Sequence, residues 1–146
     1  MSLEKTYETR YFIEYNLFMF NSEGPNGIIK KGILFQEQED GHYNLALVEY
    51  RKGRLLDDVT SNNNDIVLIF ATVIKSILKF MNKVPHAIIE VKTTDEKRLR
   101  VYNAIIQRHH QKFKHELIFF GIIEDNRHTI EAGKSYESFV IEKKKD

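Results

Sequence analysis

Apolar residues recur at three- and four-residue spacing across residues 65–82, and this is the strongest periodic signal in the chain. The positions are Ile66, Ile69, Phe70, Val73, Ile74, Ile77 and Met81. They share one broad helical face, which Val67 and Leu68 widen. Helix-capping residue types precede the run, and Pro85 blocks its continuation. The pattern predicts a central α-helix.

Alternating apolar and polar residues predict three strands before this helix. Residues 7–15 form the first, with Tyr7, Tyr11, Ile13 and Tyr15 on one face. Residues 28–36 and 42–50 form the second and third. Asp40-Gly41 between them supplies the positive φ of a tight hairpin, so these strands are expected to be antiparallel.

The second half of the chain predicts a strand at 87–91, a helix at 95–113, and strands at 115–123 and 137–142. Thr93 and Glu96 have capping-box spacing at the helix start. Leu99, Tyr102, Ile106 and Phe113 form its apolar stripe. The strand, helix and strand across 87–123 predict a right-handed crossover between neighbouring parallel strands.

The complete order is therefore βββαβαββ, without a repeat or an interdomain linker. It predicts a single domain over residues 1–146 of the α/β (α+β) class, with a mixed, largely antiparallel sheet and two main helices.

Composition limits the function classes. The 146 residues are 42% hydrophobic and 29% charged, with a net charge of +1 and no cysteine. Thiol chemistry and disulfides are excluded, and no global attraction to nucleic acid or anionic lipid is expected. There is no apolar run of signal-peptide or membrane-spanning length, so we expect a cytoplasmic protein with no membrane partner.

The order of elements resembles the core of the acetyl-CoA-dependent N-acyltransferase superfamily, and Tyr102 matches a tyrosine often found in its second core helix. The resemblance implies that the loop at residues 61–65 would receive the cofactor pyrophosphate, that Arg98 or Arg100 would assist, and that Tyr102 would be the general acid. The loop lacks the glycines that such phosphate sites use, and Asp65 adds a negative charge there. Acetyl-CoA is therefore expected under this alternative alone.

A second resemblance is to a family of small uncharacterised bacterial proteins. It rests on Ser61-Asn62-Asn63 before the first helix, Arg98-Leu99-Arg100-Val101-Tyr102 on the second, and Lys134-Ser135-Tyr136-Glu137-Ser138-Phe139 before the last strand. These motifs span most of the chain. The resemblance implies a domain of unknown function and brings no assigned activity.

No pattern predicts a metal site or a catalytic group beyond the weak candidate Tyr102. His109 and His110 are adjacent on a helix and lie about 100° apart, so they cannot face one ion, and neither has a ligand four residues away. Gly133-Lys134-Ser135 lacks the first glycine and the following helix of a phosphate-binding loop.

The second helix gives the best functional lead. From residue 97 to 115 the chain has six basic and no acidic residues. The basic residues are Lys97, Arg98, Arg100, Arg108, Lys112 and Lys114. The resulting ridge could serve an acidic ligand, a protein partner or nucleic acid, or it could be an ordinary solvated face. Base stacking would need exposed aromatics, whereas the sequence assigns most aromatics to strands and core.

The leading hypothesis is a small binding or interaction domain, and a regulatory role for it is left open. The residues expected to contact its ligand are Ser61, Asn62, Asn63, Asn64, Arg98 and Arg100. The alternatives are an atypical acyl-CoA-dependent N-acyltransferase and a nucleic-acid-binding protein that uses the basic helix. Exposed strand edges also allow a homodimer.

Overall fold

The computed structural model describes residues 5–56 and 63–145, which form nine strands and two α-helices. The elements are β1 (Arg10–Phe12), β2 (Leu17–Gly24), β3 (Gly27–Glu39), β4 (His42–Arg51), β5 (Arg54–Leu56), α1 (Ile66–Lys83), β6 (Ile88–Val91), α2 (Glu96–His109), β7 (Leu117–Ile123), β8 (Asn126–Thr129) and β9 (Ser138–Lys143). Short 3-10 turns lie at Ile13–Tyr15 and His110–Phe113.

The sheet is mixed and mostly antiparallel, with the strand order β1-β2-β3-β4-β6-β9-β7-β8 and β5 paired to β4. β4 and β6 are parallel. The predicted α+β class with two main helices is confirmed. Two compact units are distinguished: residues 1–36 with 46–83, and residues 37–45 with 84–146.

In the first unit, α1 covers one face of the strands. The ring of Phe80 stacks on Phe35 at 4.3 Å between centroids, and Phe18 meets Phe35 edge-on at 5.9 Å. Ile66 and Val67 are 45% and 41% exposed, so the predicted breadth of the apolar face at the start of the helix is wrong. The buried side is completed by Thr72 and Ser76, whose hydroxyls donate to backbone carbonyls four residues earlier.

The predicted first strand at 7–15 is wrong in extent, because β1 covers Arg10–Phe12 and ends there. Residues Ile13–Tyr15 form a 3-10 turn, and Asn16 follows with a φ of 50°. Asparagine tolerates this left-handed conformation better than most residues, and it redirects the chain into β2. Ile13 and Tyr15 are therefore 61% and 66% exposed instead of facing the core.

In the second unit, β9 lies between β6 and β7 and pairs antiparallel with both. The predicted crossover between neighbouring parallel strands is wrong, since β6 and β7 are not neighbours. The buried residues Ile106 and Phe113 follow the predicted stripe of α2. Its N-cap is Asp95, whose Oδ1 accepts from the N–H groups of Lys97 and Arg98 at 2.9 and 3.3 Å, and not Thr93 of the predicted capping box.

A candidate binding cleft and the predicted site residues

An open cleft of about 1240 Å³ lies in the first unit, along strands β1 to β5. Successive side chains of a strand lie on opposite faces. The residues of β2 and β3 that line the cleft are mainly those that alternate with Phe20 and Phe35, and both of these rings border the cleft as well. Its walls contain Glu8, Thr9, Arg10, Phe12, Tyr15, Leu17, Met19, Phe20, Asn21, Lys30, Leu34, Phe35, Gln36, Tyr50, Gly53 and Leu55. They come from the segment before β1, from all five strands of the unit, and from the turns before β2 and before β5.

Near Gly32, two of the apolar side chains that line the cleft are closely packed. A Cβ at this position would lie 2.8 Å from Met19 Sδ, 2.9 Å from Leu17 Cδ1 and 3.1 Å from Val48 Cγ2. Glycine thus lets side chains of β2 and β4 meet across β3. They form an apolar floor at the place where an alternating strand would carry a side chain of its own.

Aromatic side chains stand on both sides of this floor, and each side has a nearby cation. The Arg10 guanidinium lies 5.0 Å from the ring centre of Phe12, and the Lys30 ammonium lies 5.8 Å from that of Tyr50. Tyr50 and Leu55 are 41% and 42% exposed. The cleft therefore combines apolar surface, exposed aromatic side chains and positive charge.

The polar groups of the wall are cations, amides, hydroxyls and one carboxylate. Among the residues described around the cleft, Glu8 is the one carboxylate, and there is no histidine, serine or cysteine. Arg10, Lys30 and the amides of Asn21 and Gln36 supply charge and hydrogen bonds for recognition.

The predicted asparagine loop is described in part, since Ser61 and Asn62 lie outside the described residues. Asn63 is 2% exposed, and its Nδ2 donates to the carbonyls of Ser22 at 3.3 Å and Gly27 at 3.0 Å. Its Oδ1 accepts from Asn26 N–H at 2.9 Å. The amide therefore holds the β2–β3 hairpin against the start of α1, and ligand binding by Asn63 stays a prediction.

The next two residues extend this contact. Asn64 is exposed and has a φ of 57°. Asp65 Oδ2 accepts from the hydroxyls of Tyr7 and Ser22, both at 2.6 Å. Burial and then the bond to Asp65 raise the pKa of the Tyr7 phenol. One set of hydrogen bonds among Tyr7, Ser22, Asn63 and Asp65 thus joins the N-terminal segment, the hairpin and α1.

The other predicted site residues lie on α2 in the second unit. Arg100 is exposed, while Arg98 and Tyr102 are half-buried. Burial raises the pKa of the Tyr102 phenol, with Arg98 opposing that effect and Asp95 adding to it. Lys97, Arg108 and Lys112 are also exposed, so the predicted basic ridge is an accessible surface.

The third motif, around Tyr136, has a structural role that the sequence did not indicate. Tyr136 is 1% exposed, and its hydroxyl donates to Thr129 O at 2.9 Å and accepts from Glu131 N–H at 2.8 Å. The side chain of the buried Asn103 bonds both the N–H and the carbonyl of Tyr136, at 2.8 and 3.0 Å. These bonds fix the loop before β9.

Over residues 5–56 and 63–145, no group of three or more histidine, aspartate or glutamate side chains is placed to hold a metal ion. In the same part of the chain, no helix combines the length and the apolar character needed to cross a membrane.

The fold and cleft define a class, an α+β protein with an open cleft on one face of its sheet. Residues 3–144 match the model of DUF6934, a family of unknown function, and the chain belongs to that family. The predicted uncharacterised domain is confirmed. No curated protein and no solved structure matches the chain. The acetyltransferase-like arrangement therefore stays a prediction.

Proposed function

We propose that this protein is a binding module whose ligand occupies the cleft. The observation that carries the proposal is the combination in one wall of an aliphatic floor, aromatic side chains and the cations Arg10 and Lys30. The ligand that fits this chemistry is an anion with flat or apolar groups. Glu8 opposes two cations in the wall, so the charge balance favours a negative partner.

The size of the cleft favours an extended ligand. Sites for single small molecules usually measure about 300–1,000 Å³ and bury most of the ligand. The cleft measures about 1240 Å³ and is open. An oligomeric ligand that lies along the strands and contacts several of them uses such a surface better than a compact metabolite does.

Binding of anilinonaphthalene sulfonate, an aromatic anion that fluoresces in apolar surroundings, tests the proposal. We expect saturable binding to the native protein that weakens at least fivefold in Arg10→Gln, Lys30→Gln and Tyr50→Ala. Ile28→Ala and Lys79→Gln are matched controls, because both residues are exposed and neither lines the cleft. Urea unfolding of each variant would verify that the fold is retained.

Two results would count against the cleft. One is the absence of saturable dye binding to the folded wild type at millimolar concentration. The other is equal binding by the cleft variants and their controls, which would place the dye elsewhere on the protein.

A second candidate surface is the basic ridge of α2, which suits an acidic protein partner and, with it, a regulatory role. Lys97, Arg100, Arg108 and Lys112 are exposed, and Val101 between them is 42% exposed. Charge with a small apolar centre is typical of a recognition surface. Loss of a copurifying acidic partner in Arg100→Gln/Arg108→Gln, but not in Lys79→Gln, would support it.

The acyl-CoA-dependent alternative has weaker support. The Asn63 amide bonds the hairpin, and the Asp65 carboxylate stands at the start of α1, where it would repel a pyrophosphate. Calorimetric titration with acetyl-CoA and CoA tests this reading, with Arg98→Gln and Tyr102→Phe as variants. Saturable binding that is weaker in Arg98→Gln than in wild type would support the acyl-CoA-dependent alternative.

A further inference from the structure

We propose that the ligand of the cleft is a single-stranded nucleic acid, whose bases stack on the aromatic side chains of the wall and whose phosphates contact Arg10 and Lys30. This inference rests on the proposed function, since it names the chemical class of the ligand in the same cleft. It depends on the placement of the aromatic residues, their exposure and the position of the cations.

The aromatic side chains are spread across the sheet. Phe12 lies on β1 and Tyr50 on β4, which are three strand intervals apart. Neighbouring strands are about 4.8 Å apart, so the two platforms are separated by about 14 Å along the sheet. Tyr15, which is 66% exposed, adds a third aromatic side chain beside β1. Separate platforms suit a chain of flat groups more than a single ring.

On each side of the cleft, a cation lies close to an aromatic ring. Arg10 lies within 5.0 Å of the Phe12 ring centre, and Lys30 within 5.8 Å of that of Tyr50. A nucleic acid has the same repeat of chemistry, because each nucleotide carries one base and one phosphate on its sugar. Protein surfaces that bind single strands combine aromatic stacking with a positively charged groove in this way.

The exposed side chains of Tyr15 and Tyr50 favour unpaired bases. In a duplex the flat face of each base is covered by its neighbours, so a side chain on a sheet cannot stack on it. Amide groups of Asn21 and Gln36 also lie in the wall, and amides can donate to and accept from base edges. An acidic peptide would pair with the cations, but it would provide fewer flat groups to stack on the separated aromatic side chains.

Fluorescence anisotropy with labelled twelve-residue oligothymidylate and oligouridylate tests the inference. We expect Tyr15→Ala and Tyr50→Ala each to weaken binding about tenfold, because stacking on one aromatic residue is lost. Ile28→Ala should leave the dissociation constant unchanged. A labelled duplex of the same length should bind at least tenfold more weakly than the single strand.

The salt dependence gives a second, independent readout. Two phosphate contacts on a single strand predict a slope of about −1.4 for log K against log salt concentration. Lys30→Gln or Arg10→Gln should reduce it to about −0.7, and the control Lys79→Gln should leave it unchanged. Equal slopes in all of these proteins would overturn the assignment of phosphates to the cleft.

The outcomes separate this inference from the proposed function. Saturable dye binding in the cleft without oligonucleotide binding would leave a binding module and overturn the nucleic-acid assignment. So would tighter binding of an acidic, tyrosine-containing peptide than of either oligonucleotide. Binding that is lost in Arg100→Gln/Arg108→Gln but kept in the cleft variants would move the site to the basic ridge. Failure of both probes would overturn both proposals.

Discussion

Replacing Asn63 with aspartate tests whether this residue is a structural part of the hairpin. Asn63 is buried, donates through Nδ2 to Ser22 and Gly27, and accepts through Oδ1 from Asn26. Asn63→Asp keeps the size and the acceptor. The substitution removes the Nδ2 donor and places a carboxylate oxygen next to the carbonyl oxygens of Ser22 and Gly27. The position is buried, and the Asp65 carboxylate already bonds the hydroxyl of the same Ser22.

The magnitude follows from these contacts. Two net hydrogen bonds are worth about 2 kcal/mol, and two carbonyls facing a desolvated carboxylate add about 1 kcal/mol or more. We therefore expect the free energy of unfolding to fall by about 3 kcal/mol. With an m-value of about 2 kcal/mol/M, the urea midpoint should fall by about 1.5 M.

Far-UV circular dichroism during urea unfolding would measure this change, since the chain has no tryptophan. Asn64→Asp is the matched control, because it adds the same charge one residue further on at an exposed position with a left-handed backbone that aspartate tolerates. A loss of less than about 0.5 kcal/mol in Asn63→Asp would refute the structural reading and return Asn63 to the ligand-binding candidates.

Three further predictions concern stability. Gly121→Ala would place a Cβ 2.1 Å from Cδ1 of the buried Tyr136 ring, so a loss of about 2–3 kcal/mol is expected in urea unfolding, and an unchanged midpoint would contradict the close contact. Asp95→Ala should cost about 1 kcal/mol and lower the helicity of α2, because two N–H groups lose their acceptor. The raised pKa of Tyr7 keeps its proton on the folded protein while the unfolded phenol ionises near pH 10. The stabilisation that Tyr7 contributes is therefore full below pH 10 and is lost as the pH rises through the pKa of Tyr7 in the folded protein. In urea unfolding above pH 10, the free energy of unfolding should therefore decline less steeply with pH in Tyr7→Phe than in wild type.

The long elements were predictable because their side chains repeat. α1 has an apolar face of several turns, and the hairpin between β3 and β4 has Asp40-Gly41, where Gly41 has the expected positive φ of 78°. β2 was missed because Leu17-Phe18-Met19-Phe20 is apolar without alternation. Its two faces meet the cleft floor and the helix, so both need apolar residues. β8 was missed because all four of its residues are exposed and give no apolar signal.

The candidate cleft could not be predicted from the sequence for a physical reason. Its residues come from five strands, two turns and the segment before β1, and its charged residues Glu8, Arg10 and Lys30 form no recognised sequence motif. Gly32 gave a weak signal, as an isolated glycine inside a predicted strand often marks a close approach of neighbouring side chains. The asparagine and Tyr136 motifs carried the family resemblance without a structural role, and the contacts that the structure shows for Asn63 and Tyr136 are structural.

The central position of β9 has a consequence for how the protein is made. Ser138, Phe139, Val140 and Ile141 are all buried, and β9 supplies hydrogen bonds to β6 on one side and β7 on the other. Among the described strands it is the last to leave the ribosome. Until then, β6 and β7 each lack a neighbour and expose a strand edge that can pair with another chain. The second unit therefore completes its folding only after synthesis of residue 143, and a nascent chain stalled before that point is the form most exposed to aggregation and to chaperones.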